Sequence, residues 1–116
     1  MILNHTGMPM RRGIDDVDEW RNGLRALARA PNVSAKISGL LMIDQEWTGD
    51  SLRPFVLDTI EILGADRCMF ASNFPVDKLW SEYGALWNAY DEITSGFSAA
   101  ERNGLFHDNA ERFYRI

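Results

Sequence analysis

Apolar residues along this chain follow two patterns, a short continuous run and a helical spacing, and the two alternate. The first run, residues 1–3, meets polar side chains at Asn4 and His5, which predicts a strand that ends there. In residues 15–28 the apolar positions recur every three or four residues, as on one face of an amphipathic helix. Pro31 lies just beyond this spacing and predicts the end of the helix.

A second strand and helix follow the first pair. Residues 33–41 (VSAKISGLL) predict a strand whose polar end is Ser38 and Gly39. The apolar spacing after it predicts a helix with Pro54 near its first turn and Gly64 as its cap.

The third unit has the same order. Residues 68–71 predict a buried strand that ends at Ser72 and Asn73, and residues 83–93 predict its helix. A last helix is predicted from Ser98, because Glu101 stands three positions later in the spacing of a capping box.

This alternation predicts an α/β fold of three strand–helix units. Strands that alternate with helices pair in parallel through right-handed crossovers. Parallel pairing brings the carboxyl ends of the strands to one edge of the sheet, so His5, Ser38 and Asn73 are expected to share that edge. In parallel α/β folds this is also the edge where ligands bind.

Composition and charge narrow the classes of function. The chain has 116 residues and a net charge of −5, and its lysines and arginines are scattered, which argues against nucleic acid as a partner. No apolar run approaches the roughly 20 residues of a membrane span, and the amino terminus does not resemble a signal peptide. We therefore expect a cytoplasmic protein that binds neither nucleic acid nor membranes. The one cysteine, Cys68, lies in an apolar run and is expected to be a buried, inert thiol.

The polar strand ends carry the candidate chemistry. His5 suits proton transfer, because the unperturbed pKa of histidine is about 6.5. Asn73 cannot titrate, but its amide donates and accepts hydrogen bonds, and Asp77 is the nearest carboxylate that follows it. Each has a structural alternative: His5 as a hydrogen-bonded core residue, and Asn73 as an Asx-turn before Pro75.

Four segments together resemble the last portion of amidohydrolase-related TIM-barrel hydrolases: NHTGMP, KISGL, RCMFASNFPVD and NAERFY. That group includes the dicarboxylate and sugar lactonases and the aminocarboxymuconate-semialdehyde decarboxylases. The resemblance covers residues 1–116 and implies the carboxyl-terminal portion of one barrel domain, with the sixth, seventh and eighth strands of an eight-stranded barrel. It also implies that His5 is the sixth-strand histidine that acts on the substrate.

Asn73 departs from the family pattern. It stands where the family usually has the eighth-strand aspartate, which serves as a metal ligand or a general base. The resemblance makes zinc a possible cofactor, but the amide leaves three alternatives open: no tightly held metal, substitution by Asp77, or a different route of reaction. We name no metal ligand. Ser38, Lys36, Asp77 and Trp80 are the candidate substrate-binding residues, each with a packing or surface role as its alternative.

Two hypotheses about function remain. One is a hydrolase that acts on a small lactone or amide, with or without a carboxylate group on the substrate. This chain alone is expected to be inactive. The other is a non-catalytic truncated fragment with a structural or assembly role. Because three strands cannot close a barrel, which takes about eight, we expect either a homo-oligomer or a missing amino-terminal segment.

Overall fold

The computed structural model describes residues 1–7, 14–42, 47–73 and 83–115. Three short strands form one parallel sheet in the order β1-β2-β3, namely β1 (Ile2–Leu3), β2 (Ser34–Ile37) and β3 (Cys68–Phe70). The predicted α/β arrangement of three parallel strands with helices between them is therefore confirmed. Asp77 and Trp80, two of the candidate site residues, lie outside the described residues.

In the part of the chain that the structure describes, five α-helices accompany the sheet: α1 (Ile14–Ala28), α2 (Gly49–Leu63), α3 (Tyr83–Ile93), α4 (Ala99–Asn103) and α5 (Asn109–Tyr114). Short 3₁₀ turns span Asn4–Gly7, Leu40–Met42 and Ala65–Arg67, and a π-helical segment, Gly104–Asp108, joins α4 to α5. None of the described helices is both long enough and apolar enough to cross a membrane.

Alternation along the strands separates two faces of the sheet. Ala35 and Ile37 on β2, and Cys68 and Phe70 on β3, belong to the hydrophobic core beneath the helices. Because side chains alternate along a strand, Lys36 projects from the opposite face, and it is half-buried there. Burial of the first face against the helices is the main force that holds the helices on the sheet.

Helix α2 begins about one turn before the position that its proline suggested. Thr48 caps it: the Thr48 hydroxyl accepts a hydrogen bond from the amide of Ser51, and the Ser51 hydroxyl bonds the Thr48 amide in return. Pro54 consequently lies inside the helix rather than near its first turn. The end of the helix is as predicted, since Gly64 has φ 99° and its amide donates to the carbonyl of Ile60.

Strand β2 is shorter than the predicted run of residues 33–41. Gly39 has φ 69°, a left-handed conformation that ends the strand, and the apolar Leu40 and Leu41 then form a 3₁₀ turn. Both leucines are almost fully buried, so their hydrophobicity reports a buried turn rather than a continuing strand.

The amino-terminal edge of the sheet is held by one guanidinium group. Arg67, just before β3, donates to three backbone carbonyls near the start of β2: Val33 at 2.8 Å, Ala28 at 3.0 Å and Ala30 at 2.6 Å. These bonds satisfy carbonyls at the end of α1 and in the turn after it. The amino-terminal ends of the strands therefore have a structural role, and the candidate site residues lie at the carboxyl ends.

Candidate active site

His5 lies in a tight turn at the carboxyl end of β1. His5 and Thr6 both have left-handed backbone conformations, with φ values of 51° and 46°. Two such residues in succession, neither of them glycine, cost of the order of 1–3 kcal/mol each and persist only where the surroundings impose them. The turn aims the imidazole back across the end of the neighbouring strand.

Buried hydrogen bonds hold this turn in place. The Oγ1 atoms of Thr6 and Thr59 lie 2.6 Å apart, and both residues are fully buried. The Thr59 hydroxyl donates to the Phe55 carbonyl at 2.7 Å, so the proton between the two threonines comes from Thr6. The indole N–H of Trp20 donates to the Thr6 carbonyl at 2.9 Å. Helices α1 and α2 thus fix the backbone that carries His5.

The end of β2 receives the His5 ring. Nδ1 of His5 lies 2.8 Å from Oγ of Ser38, which is fully buried. Gly39 lies beside the ring: a Cβ built there would be 2.5 Å from Nδ1 and 2.6 Å from Cγ of His5. Only glycine leaves room for the imidazole at this position. This hydrogen bond uses the Nδ1 atom of the ring.

Asn73 follows the carboxyl end of β3. The amide of Ala71 donates to the Ile37 carbonyl at 3.0 Å and extends the pairing of β2 with β3. Asn73 comes two residues later and is half-buried. The structure thus brings His5 and Ser38 into contact and carries Asn73 to the same edge of the sheet.

Tyr90 on α3 also reaches this edge, and the sequence reasoning missed it. Its hydroxyl lies 3.2 Å from the Ile37 carbonyl oxygen and 3.2 Å from that of Ala71. The ring is fully buried and stacks on Phe70, with the ring centres 4.3 Å apart. The helical spacing of apolar residues predicts only that Tyr90 is part of the core. Because a buried tyrosine hydroxyl usually has a hydrogen-bond partner, the residue type itself also indicates a polar contact.

The remaining candidates lie apart from the His5–Ser38 contact. Lys36 lies within β2, on the face opposite the core, and Ser38 follows the last residue of that strand. Cys68 is buried on the core face, as expected, and this burial raises its thiol pKa to about 12. His107 is exposed, and its hydrogen bond to Asp108 raises its pKa.

The described residues do not by themselves form a zinc site. Within residues 1–7, 14–42, 47–73 and 83–115 there is no group of three or more His, Cys, Asp or Glu side chains that could hold a metal ion. A catalytic zinc takes three protein ligands, and this edge of the described sheet offers the imidazole of His5 and the neutral amide of Asn73. These two groups alone are fewer than the three protein ligands of a catalytic zinc.

The chain matches a known family over its whole length. The family model for amidohydrolases matches residues 1–116. The chain belongs to the amidohydrolase family. The resemblance drawn from the four sequence segments is thereby confirmed.

Amidohydrolase relatives extend well beyond this chain. The Sinorhizobium fredii protein y4mH is 56% identical over 116 residues, which are 100% of this chain and 39% of that protein. An L-fucono-1,5-lactonase from Burkholderia multivorans is 33% identical over 128 residues, which cover 100% of this chain and 43% of the lactonase. The chain therefore spans about two fifths of the length of the curated relatives it matches.

A solved amidohydrolase structure has the same fold over this length. The crystal structure of an amidohydrolase from Burkholderia multivorans with bound HEPES superimposes with a TM-score of 0.92 and 28% identity, over 99% of this chain and 44% of that one. A second crystal form, with bound zinc, gives a TM-score of 0.91. The three strand–helix units thus match part of the barrel of these amidohydrolases.

Proposed function

We propose that this chain carries the sixth- to eighth-strand part of the active site of a hydrolase that opens a small lactone. Membership of the amidohydrolase family and the similarity to an L-fucono-1,5-lactonase support the reaction class. The observation that carries the proposal is the contact between His5 Nδ1 and Ser38 Oγ at the edge of the sheet where α/β enzymes bind substrates.

His5 is the proposed acid–base group. We assign the neutral tautomer in which Nδ1–H donates to Ser38 Oγ, so that the lone pair is on Nε2. Nε2 takes a proton from the water that attacks the lactone carbonyl. The same proton then goes to the ring oxygen as its bond to the carbonyl carbon breaks, so the product is a hydroxy acid and His5 is neutral again. The strained turn and the buried Ser38 keep the ring from rotating during these steps.

We propose that the substrate is bound by Asn73, Lys36, Asp77 and Trp80. The Asn73 amide can donate a hydrogen bond to the carbonyl oxygen of the lactone or orient the attacking water, but it cannot act as a base. The Lys36 ammonium, on the face of β2 opposite the core, suits a carboxylate on the substrate. We propose that Asp77 and Trp80 complete the pocket after β3, as their sequence positions suggest.

The test of the acid–base role uses the protein as its gene encodes it. His5→Ala should lower kcat for lactone hydrolysis by about 10² or more, as expected for loss of a general acid–base group. His107→Ala is the matched control, because it removes the other histidine of this chain from an exposed site and should leave the rate unchanged. Equal rates for His5→Ala and the parent protein would remove His5 from the mechanism.

A second test addresses the metal. One relative was crystallised with zinc, whereas Asn73 offers a neutral oxygen, so we propose that this protein holds zinc weakly. Asn73→Asp restores a carboxylate and should raise the zinc affinity measured by titration calorimetry, with Asn88→Asp, on the exposed face of α3, as the control. Tight stoichiometric zinc in the parent protein would contradict this proposal.

A further proposal concerns assembly. The three described strands form an open sheet, and closing a barrel takes about eight strands. We propose that the remaining strands come from another segment of the protein or from a second copy of it. Light scattering that finds a stable monomer of this chain alone, with a cooperative thermal transition, would contradict this.

A further inference from the structure

We infer that Tyr90 is a positioning residue for His5, and that it acts through the end of β2 rather than by touching the substrate. The inference rests on the proposed acid–base role of His5. Tyr90 lies on α3, whereas His5 follows β1, and the two are connected by a short series of hydrogen bonds.

The first connection joins Tyr90 to the ends of two strands. Its hydroxyl lies 3.2 Å from the carbonyl oxygens of both Ile37 and Ala71. The single hydroxyl proton is shared between these two acceptors. The Ala71 amide also donates to the Ile37 carbonyl at 3.0 Å, so this oxygen is contacted by both donors. The peptide group that contains the Ile37 carbonyl also contains the Ser38 nitrogen. Its orientation therefore sets the direction of the Ser38 side chain.

The second connection is the hydrogen bond between Ser38 and the ring of His5. Ser38 Oγ lies 2.8 Å from Nδ1 of His5. The energy of such a bond falls steeply with misalignment, so a small rotation of the Ile37–Ser38 peptide weakens it. Once it weakens, Nδ1 loses the contact with Ser38 that favours one position of the proton on the ring.

The packing around Tyr90 shows that its hydroxyl is held where it is. The ring stacks on Phe70 with an angle of 12° between the planes, and the edge of Trp87 meets it with the ring centres 5.6 Å apart. Tyr90 has no accessible surface. A tyrosine fixed on all sides acts as a rigid support, whereas an exposed hydroxyl would exchange its partners for water.

The experiment is ¹⁵N NMR of the imidazole rings in the Tyr90→Phe variant, at a pH where the rings are neutral. His5→Gln identifies the His5 signals by their loss. In the parent protein the ¹⁵N shifts of His5 should report one dominant tautomer, with the proton on Nδ1. Tyr90→Phe should move both His5 shifts toward values that indicate a mixture, and leave those of the exposed His107 unchanged.

Two control variants separate positioning from stability. Tyr114→Phe removes a hydroxyl from an exposed tyrosine. Thr94→Val removes the buried hydroxyl that donates to the Tyr90 carbonyl at 2.9 Å, one turn further along the chain from the strand ends. Both should leave the His5 shifts unchanged. If Thr94→Val moves them as far as Tyr90→Phe does, the effect belongs to general loosening of α3 and the inference is overturned.

The serine provides the decisive comparison. Ser38→Ala should move the His5 shifts in the same direction as Tyr90→Phe, and adding Tyr90→Phe to Ser38→Ala should produce little further change, since both act on one hydrogen bond. Additive changes would overturn the proposed series of contacts. If Tyr90→Phe does not fold, 3-fluorotyrosine at position 90, which changes the hydrogen-bond strength of the hydroxyl, should shift the His5 signals, and unchanged signals would overturn the inference.

Kinetics distinguishes this inference from the proposed function. Tyr90→Phe should lower kcat about 10-fold with KM nearly unchanged, because a misoriented catalytic group slows the chemical step more than binding. If His5→Ala retains full activity, the proposed function fails, and the NMR comparison still tests the connection from Tyr90 to His5. If the NMR shifts do not respond to Tyr90→Phe, the positioning role fails and the role of His5 is unaffected.

Discussion

Replacing Gly39 with alanine tests how tightly the end of β2 is fitted to the candidate catalytic histidine. Gly39 has φ 69°, and a Cβ at this position would lie 2.5 Å from Nδ1 and 2.6 Å from Cγ of His5. The new methyl group therefore meets the ring itself. The ring is also hydrogen-bonded to Ser38, so it cannot withdraw without losing that contact.

The expected cost of Gly39→Ala has two parts. An alanine held in the left-handed conformation costs about 1–2 kcal/mol relative to glycine. Displacing the His5 ring breaks its hydrogen bond to Ser38, which contributes about 1 kcal/mol. Together the two parts predict that Gly39→Ala lowers the free energy of unfolding by about 2–3 kcal/mol.

Urea denaturation of the protein as its gene encodes it measures this free energy, and ¹⁵N NMR of His5 reports the ring position. Gly23→Ala is the matched control: Gly23 lies within α1, and a Cβ there meets nothing within 4 Å. A glycine-to-alanine change inside a helix should stabilise the protein by about 0.5–1 kcal/mol. The reasoning is refuted if Gly39→Ala changes the stability no more than Gly23→Ala does and leaves the His5 signals where they were.

Three further predictions concern groups outside the substrate edge. The Cys68 thiol, with its pKa raised to about 12, should not react with a disulfide reagent at pH 8 until the protein unfolds. Because the raised pKa keeps the thiol neutral in the native state while the unfolded chain ionises, the free energy of unfolding should fall as the pH rises from 9 toward 12. Thr59→Val should cost about 1–3 kcal/mol in urea denaturation, because it leaves the buried Thr6 hydroxyl without its acceptor, whereas Thr48→Val at the exposed cap of α2 should cost about 1 kcal/mol. Arg67→Lys should lower the thermal midpoint, because an ammonium cannot reproduce the planar set of bonds to three carbonyls, and an unchanged midpoint would contradict that account.

The order and type of the elements could be predicted from the sequence, because each is set by patterns within a few residues. The helix over residues 83–93 and the cap at Ser98 are as expected, since apolar spacing and a capping box are local signals. Strand β2 ends at Ile37, next to the predicted polar end at Ser38 and Gly39, whereas Leu40 and Leu41, which the predicted run included, form a buried turn. The π-helical segment between α4 and α5 was not predicted, because its apolar and polar residues also fit an α-helix.

The candidate site was predicted in part for the same reason. That His5, Ser38 and Asn73 share one edge follows from parallel pairing, which the alternation of elements indicates. Other features of the site join residues that are tens of positions apart in the sequence. They are the contact of His5 with Ser38, the packing of the His5 ring against Gly39, and the hydrogen bond of Tyr90 to the end of β2. No local pattern reports such contacts, so they became visible only in three dimensions.

The order of the strands has a consequence for how the protein forms as it leaves the ribosome. Among the described strands each pairs with the next one along the chain, β1 with β2 and β2 with β3. The entropy lost in closing each loop therefore stays nearly constant as synthesis proceeds, because it grows only slowly with loop length. Each new strand–helix unit can dock on the one made before it. The sheet can grow in the direction of translation, and each new strand adds its polar carboxyl end beside the one that carries His5.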